Sequence, residues 1–460
     1  MKKIARTKSL PTPSQSSRRS ERLFARAQPK FPLDLVLTVL DELRIDGDRR
    51  TIRACALVCR LWRQPSQRLL FSSLYIRDSY SSEDRFEISC QKWAKRFEES
   101  THIAPFFTEL FILPKPGKLE NTPLFKDLAP KLTNVRSLIL RGNAFGTSVN
   151  ELALCLNQHA QIQNLTLIEP RKWRNVLIGM LELTSLSIID PLDSFSDMEP
   201  YTCDPSVPAL GALRYLSLSG AERNSSLLEF LASFHYPRLC SLEIQPGRYS
   251  HIPTCPVFGE FLQTLRTGKL ENLRIFLPFS FLYGERVRAS CIADMIEKKL
   301  LSNFRYLRHF SVVIPKVWSA SLSIAWNLII TLRAPGLRQV SIVIEDFGGD
   351  LGDCLEWRSL DDWFSDEQRY PHLSRLEVTL TNLMVLNTHP RKLAKNHSVI
   401  DESQFRVMVP IVTSRMPKLS NKDVLHFVVA TQAGTAAVIT KYGVSKNADS
   451  MLNSRFLGML

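Results

Sequence analysis

A six-residue unit with the pattern apolar-x-x-apolar-x-apolar recurs along the middle of the chain. Ten copies follow one another at intervals of 21 to 37 residues. The alternation at the end of each unit favours a short β-strand with one buried face, and the longer intervals leave room for a helix before the next strand. The units begin at Phe107, Val135, Ile162, Leu183, Leu213, Leu239, Leu270, Leu307, Leu337 and Leu373.

The segments between these units carry helical patterns. Strands that alternate with helices are joined by crossovers and run parallel, so the repeat predicts an α/β fold with a parallel sheet. A last helix at 405–413 and a last strand at 424–429 are expected to close the array. The other predicted helices span 149–160, 225–234, 257–266, 286–301 and 319–332.

The third and fifth positions of each unit are predicted to face away from the core, on the concave side of the array. Their charge and size differ from unit to unit, which is typical of a surface that recognises a protein partner and equally of any solvated strand face. The sequence leaves both interpretations open. The candidate target-binding residues are Tyr215, Glu243, Arg274, His309 and Arg375.

Residues 31–76 combine three short amphipathic helices and one strand in too few residues to bury a self-sufficient core. The first helix has apolar residues at helical spacing between Leu35 and Leu43, and Thr51 is predicted to cap the second. In the second helix Ile52, Cys55, Ala56 and Cys59 line one face, and Leu57 and Val58 widen the apolar arc.

The order of these residues resembles an F-box of the kind abundant in basidiomycete fungi. The matching segments are FPLDL at 31–35, TIRACALVCRLW at 51–62, Pro65, and Leu70-Phe71, which precedes a strand. Two departures from the motif are Phe31 in place of Leu and Pro65 one position late. The later units resemble leucine-rich repeats, although their period is longer and the closing Asn occurs only at Asn143.

The resemblance implies a three-helix F-box followed by an irregular leucine-rich-repeat-like solenoid with a parallel sheet. The expected domains are a disordered basic arm at 1–30, the F-box at 31–76, the solenoid at 77–430 and a C-terminal tail at 431–460.

An F-box docks on a Skp-family adaptor and, through it, on a cullin ubiquitin ligase. The same apolar residues could instead pack a helical cap onto the chain, and that alternative stays open. The residues that the resemblance places against the adaptor are Pro32, Leu35, Leu57, Val58, Cys59, Arg60 and Trp62.

Composition narrows the cellular setting. Residues 1–30 hold nine Lys and Arg side chains against one Glu, which gives this segment +8 of the chain's net charge of +14. The charge is therefore concentrated in an arm that serves either nuclear import or solvation, and nucleic acid is not an expected main partner. With no window resembling a membrane span or a secretory signal, we expect a cytoplasmic or nuclear protein with no membrane contact.

No catalytic or cofactor-binding pattern is present. The sequence lacks GxSxG, P-loop, GxGxxG and HExxH motifs, and its nine cysteines contain no CxxC pair. An acidic segment at 346–367 suggests a cation or basic-peptide site. The favoured interpretation is a repeat helix with Trp357, Leu360 and Phe364 on one buried face and the carboxylates, including Asp361, solvated on the other. We expect no cofactor and no metal.

These observations predict a non-enzymatic substrate-recognition subunit of an SCF-type ubiquitin ligase. The F-box would hold the adaptor, and the solenoid would hold an unidentified target protein. The alternative is a leucine-rich-repeat scaffold without a ligase role, which touches nucleic acid through its basic arm.

Overall fold

A computed structural model describes most of the chain as helices, strands and the turns between them. The fold divides between Phe71 and Ser72 into two compact units. The expected arm at 1–30 and Asn143 lie outside the described residues. The described residues are 32–45, 48–77, 85–113, 128–141, 156–158, 161–170, 177, 180, 182–191, 210–221, 224–246, 257–265, 269–277, 291–314, 319–345, 357–381, 402–430, 436–440 and 443–445.

The first unit contains three helices, α1 Leu33–Ile45, α2 Arg49–Val58 and α3 Arg60–Leu70. Asp48, not the predicted Thr51, caps α2, because its carboxylate accepts a hydrogen bond from the Thr51 backbone N–H at 3.0 Å. The Thr51 hydroxyl also donates to this carboxylate. This hydrogen bond is the largest cause of the lowered pKa of Asp48. Thr51 therefore lies in the first turn and supplies donors to the cap.

The core of this helical unit is small. Val36, Leu40 and Ile52 are fully buried, and Leu43, Cys55, Trp62, Leu69 and Leu70 pack around them while keeping some exposure. The guanidinium of Arg49 donates to the carbonyl oxygen of Leu70 at 3.0 Å, which joins the start of α2 to the end of α3. A core of this size leaves most apolar side chains of the three helices at the surface.

The second unit is built on one sheet of fourteen strands that follow one another in chain order. Strands β1 to β12 are parallel, and β12, β13 and β14 are antiparallel. The strands are β1 Ser73–Arg77, β2 Glu109–Leu113, β3 Ser137–Arg141, β4 Asn164–Ile168, β5 Ser185–Ile189, β6 Tyr215–Ser219, β7 Ser241–Gln245, β8 Asn272–Phe276, β9 His309–Ile314, β10 Gln339–Glu345, β11 Arg375–Thr381, β12 Leu425–Ala430, β13 Ala436–Thr440 and β14 Gly443–Ser445.

The predicted α/β fold with a parallel sheet is confirmed. Each of the ten sequence units begins two residues before a strand, from Phe107 before β2 to Leu373 before β11. The predicted strand at 424–429 is β12, and the FxxLxI pattern that starts at Phe71 leads into β1. Strands β13 and β14, beyond residue 430, were not predicted as strands.

Helices lie between consecutive strands from β6 to β12, and one lies between β1 and β2. The helices predicted at 225–234, 257–266, 286–301 and 319–332 are present and end two to four residues earlier than predicted, whereas the last one, predicted at 405–413, is longer. Of the predicted helix at 149–160 only 156–158 are described, and 286–290 lie outside the described residues. The bounds are α4 Arg85–Glu99, α5 Ser225–Ala232, α6 Val257–Thr264, α7 Cys291–Glu297, α8 Ser319–Ile329, α9 Trp357–Ser365, α10 Glu402–Arg415 and α11 Pro417–Asn421, with short 3-10 helices at Thr101–Phe106, Ala129–Lys131 and Leu300–Asn303.

A repeated backbone hydrogen bond fixes the register of the sheet. Just before each strand from β1 to β10, one carbonyl oxygen accepts from two successive N–H groups of the following unit. The carbonyl of Arg214, for example, accepts from Cys240 at 3.0 Å and from Ser241 at 2.9 Å. The second and fourth residues of the strands, such as Leu242 and Ile244, then point into the core.

In helix α9 the predicted buried face is present, but one carboxylate is buried as well. Trp357, Leu360 and Phe364 are buried on one face, as predicted. Asp361 was expected to be solvated but is only 2% exposed. Its carboxylate accepts from the backbone N–H groups of Lys418 at 3.0 Å and Leu419 at 2.8 Å, so a side chain of α9 caps the start of α11.

We expect Asp361→Ala to destabilise the second unit by about 2 to 4 kcal/mol, because two N–H groups lose their acceptor, one of them buried. Asp361→Asn keeps one acceptor oxygen and should lose less. The neighbouring Asp362→Ala, which removes only an exposed pair with the Lys418 ammonium, is the matched control. Urea unfolding followed by circular dichroism measures all three variants, and equal effects at 361 and 362 would contradict the capping role.

Candidate protein-interaction surfaces

The helical unit exposes a set of large apolar side chains on its three helices. Leu57 is 87% exposed, Val58 is 68% exposed and Leu35 is 50% exposed. Of the ten large hydrophobic side chains that are exposed within the described residues, seven belong to this unit. We call these seven residues the helical apolar surface: Leu33, Leu35, Leu37, Val39, Leu57, Val58 and Leu61.

Helix geometry explains why this surface forms. In α1 the buried Val36 and Leu40 are four residues apart and face the core, so Leu35 and Val39 lie about 100° away on the outer side. At Cys59 the backbone is extended, with φ −161° and ψ 173°, and it separates α2 from α3. The residues just before this break have no partner helix over them within the unit, and Leu57 and Val58 therefore point outward.

The predicted adaptor-binding residues divide into two groups. Pro32, Leu35, Leu57, Val58, Cys59 and Arg60 are exposed, whereas Trp62 is half-buried against the core of the unit. Trp62 thus contributes to folding as well as to any contact. The predicted adaptor-binding residues did not include four further exposed side chains, although the apolar pattern of α1 and α3 contained them: Leu33, Leu37, Val39 and Leu61.

The outer face of the sheet carries the predicted target-binding residues on adjacent strands. Tyr215 and Glu243 lie on β6 and β7, where the Tyr215 hydroxyl donates to the Glu243 carboxylate at 3.1 Å. The Ser217 hydroxyl donates to the other carboxylate oxygen at 3.4 Å. Burial, and after it the negative charge of Glu243, raises the pKa of Tyr215, so this phenol stays protonated and remains a donor.

Two arginines of this face are held by neighbours. Arg274 pairs in register with Glu243, and its guanidinium lies 4.9 Å from the ring centre of Phe276. On β11, Arg375 contacts the Glu377 carboxylate at 2.6 Å, and Thr379 donates to the same carboxylate at 3.0 Å. Both arginines are half-buried, and these contacts hold their guanidinium groups in place.

His309 occupies the next strand and is connected to the same network. Its Nδ1 lies 2.7 Å from Oδ1 of Asn272, whose amide nitrogen donates to the Ser241 hydroxyl at 2.9 Å. Because that amide oxygen can only accept, Nδ1 carries the proton, and neutral His309 presents Nε2 as an acceptor. The pKa of His309 is lowered, and desolvation of the imidazole is the largest cause. The negative charge of Glu271 acts in the opposite direction and raises this pKa.

The structure brings the sheet candidates together only in part. Tyr215, Glu243, Arg274 and His309 lie on four consecutive strands, β6 to β9, whereas Arg375 lies two strands further on. Sequence reasoning missed Tyr75, which is 47% exposed and lies at the opposite end of the sheet. Its place on the outer face could have been found, because it occupies the same alternating position in its strand as Ser217 does in β6.

Metal ligation and membrane spanning are two further properties on which the described residues bear. No group of three or more His, Cys, Asp or Glu side chains there could hold a metal ion. No helix in that part of the chain is long and apolar enough to cross a membrane.

Comparison with known proteins gives no family assignment. No family model matches the sequence, and no curated protein matches it either.

The position of His309 predicts a pH dependence. Because desolvation favours its neutral form, we expect the imidazole to titrate below its ordinary value of 6.5. The unfolded chain then binds this proton more tightly than the folded protein, so the contribution of His309 to stability is present above pH 6.5 and falls as the pH drops. NMR titration of the imidazole measures the pKa.

The same titration of Glu271→Gln provides the matched comparison. Removing this carboxylate takes away the one influence that raises the pKa of His309, so the midpoint should move lower still. A midpoint above 6.5 in the unmodified protein, or an upward shift in the variant, would contradict the arrangement.

Proposed function

We propose that the protein is the substrate-recognition subunit of an SCF-type ubiquitin ligase. In this proposal the helical unit is an F-box that binds a Skp-family adaptor, and the sheet of the second unit is the framework of a leucine-rich-repeat-like solenoid that binds the target. The observation that carries the proposal is the helical apolar surface, above all Leu57 at 87% and Val58 at 68% exposure.

The energetics favour a protein partner for this surface. Covering Leu57 and Val58 would contribute about 3 to 5 kcal/mol, which corresponds to roughly a hundredfold to a few thousandfold in the dissociation constant. Single exposed apolar residues are ordinary on soluble proteins, but seven within one small helical unit are typical of an interface. The exposed guanidinium-bearing Arg60 lies beside them and supplies a polar rim.

The contribution of such a receptor to ubiquitin transfer is proximity. The chain would hold a target near a cullin-bound enzyme and raise its effective concentration, while the chemistry belongs to other subunits. This division is consistent with a sequence that carries none of the common catalytic motifs. The outer face of the sheet, with side chains that differ from strand to strand, supports the target-binding half of the proposal.

Replacing Leu57 and Val58 together with Asp should weaken adaptor binding by about a hundredfold or more, since two charges enter an apolar contact. Both side chains are exposed, so the variant should unfold at the same urea concentration as the unmodified chain. Isothermal titration of the full chain with a purified Skp-family adaptor measures the binding.

Tyr306→Asp is the matched control, because Tyr306 is 61% exposed and belongs to the second unit. Its adaptor affinity should be unchanged. Equal binding by the unmodified chain and the Leu57→Asp, Val58→Asp variant would refute the docking surface. The alternative, a scaffold without a ligase role, predicts no adaptor binding at all and salt-sensitive nucleic-acid binding that is lost when residues 1–30 are deleted.

A further inference from the structure

The first three strands of the sheet carry an apolar stripe on the face turned away from the core. Tyr75, Phe111 and Ile139 pair with one another in register across β1, β2 and β3. Their neighbours along each strand, such as Leu74 and Ile76, are buried on the opposite face. We call Tyr75, Phe111 and Ile139 the apolar stripe.

The stripe is open to solvent and internally ordered. The rings of Tyr75 and Phe111 are stacked with centres 4.3 Å apart and planes 11° apart. Tyr75 is 47% exposed, and Phe111 and Ile139 are half-buried. Stacking fixes both rings before any partner arrives, so a ligand would bind them at little cost in side-chain entropy.

The same row on strands β4 to β12 is occupied by polar or charged side chains. The three apolar side chains of the stripe, at one end of the sheet, depart from that polar pattern. On β4 and β5, Ile168 and Ile189 come two residues after the row of the stripe, and both are half-buried. The polar and charged residues in the row of the stripe are Thr166, Ser187, Ser217, Glu243, Arg274, Ser311, Ser341, Glu377 and His426.

One charge borders the stripe on the side where the strands begin. Glu109 is the only charged residue among the first and third positions of strands β1 to β6, all of which are described. It accepts a hydrogen bond from the Ser73 hydroxyl at 2.7 Å, and a neutral donor does not cancel its charge. On the far side, Arg141 lies 3.7 Å from the Glu169 carboxylate and is already paired.

We propose that the apolar stripe binds an extended segment of the target protein that carries an aromatic or aliphatic side chain next to a Lys or Arg. The apolar side chain packs on the Tyr75–Phe111 stack, and the basic side chain lies over Glu109. This assignment rests on the proposed function, since it identifies the target chemistry of the receptor. It adds Tyr75, Phe111, Ile139 and Glu109 to the target-binding residues, at the opposite end of the sheet from Arg375.

A random dodecapeptide phage library selected on the full chain provides the test. Clones are counted only if they bind the unmodified chain at least about tenfold tighter than a Tyr75→Ser variant, which removes peptides captured by the helical apolar surface. The counted clones should share an apolar residue adjacent to Lys or Arg. Synthetic peptides of these clones are then compared with versions in which Gln replaces the Lys or Arg. The unmodified chain should bind the basic peptide more tightly, and Glu109→Gln should remove most of that difference while binding of the apolar residue remains.

Tyr306→Ser is the matched control, because it removes an even more exposed tyrosine and should leave peptide affinity unchanged. The proposal is overturned if no clone discriminates, if the clones are acidic, or if Tyr306→Ser weakens binding as much as Tyr75→Ser. Self-association that Tyr75→Ser abolishes would also overturn it, since the stripe would then bind a second copy. Adaptor affinity of Tyr75→Ser, measured in parallel, should be normal, so failure of the stripe is distinguishable from failure of the ligase assignment.

Discussion

The described sheet depends on a backbone hydrogen bond that recurs at the start of strand after strand. One carbonyl oxygen before each strand from β1 to β10 accepts two successive N–H groups from the next unit, at 2.8 to 3.1 Å. Ten such acceptors hold neighbouring units in the same register. Because side chains alternate along a strand, this one constraint decides which residues enter the core and which form the outer face. A shift of one residue would place Tyr75 in the core and Leu74 in solvent.

The two units face different physical problems. The second unit buries at least one leucine or isoleucine from each of strands β1 to β11, and few large apolar side chains are exposed among its described residues. Of the described apolar side chains of the helical unit, only Val36, Leu40 and Ile52 are completely buried, and seven large ones are exposed. A partner protein would cover these exposed apolar side chains, and for this reason we place the docking site on the helical unit. The apolar stripe is smaller, and it is bordered by the single carboxylate of Glu109, which suits a short peptide better than a large interface.

The sequence predicted the sheet well because its signal is periodic. Every apolar unit from Phe107 to Leu373 precedes a strand, and the buried face of α9 follows its helical spacing. Contacts between distant residues carried no such signal. Asp361 caps α11 from 57 residues away, and the left-handed conformation of Asp190, with φ 45°, has no local marker. At the helical unit the pattern indicated surplus apolar surface, but only packing against Val36 and Leu40 shows that Trp62 is partly enclosed.

The central proposal is that the helical apolar surface is a docking site for a Skp-family adaptor. Hydrogen–deuterium exchange of the full chain, with and without purified adaptor, tests it most directly. The account predicts slower exchange in peptides that cover α1 and the junction of α2 and α3 around Cys59, with no change in strands β2 to β12. Unchanged exchange across residues 33–70 at saturating adaptor, or protection confined to the sheet, would contradict it.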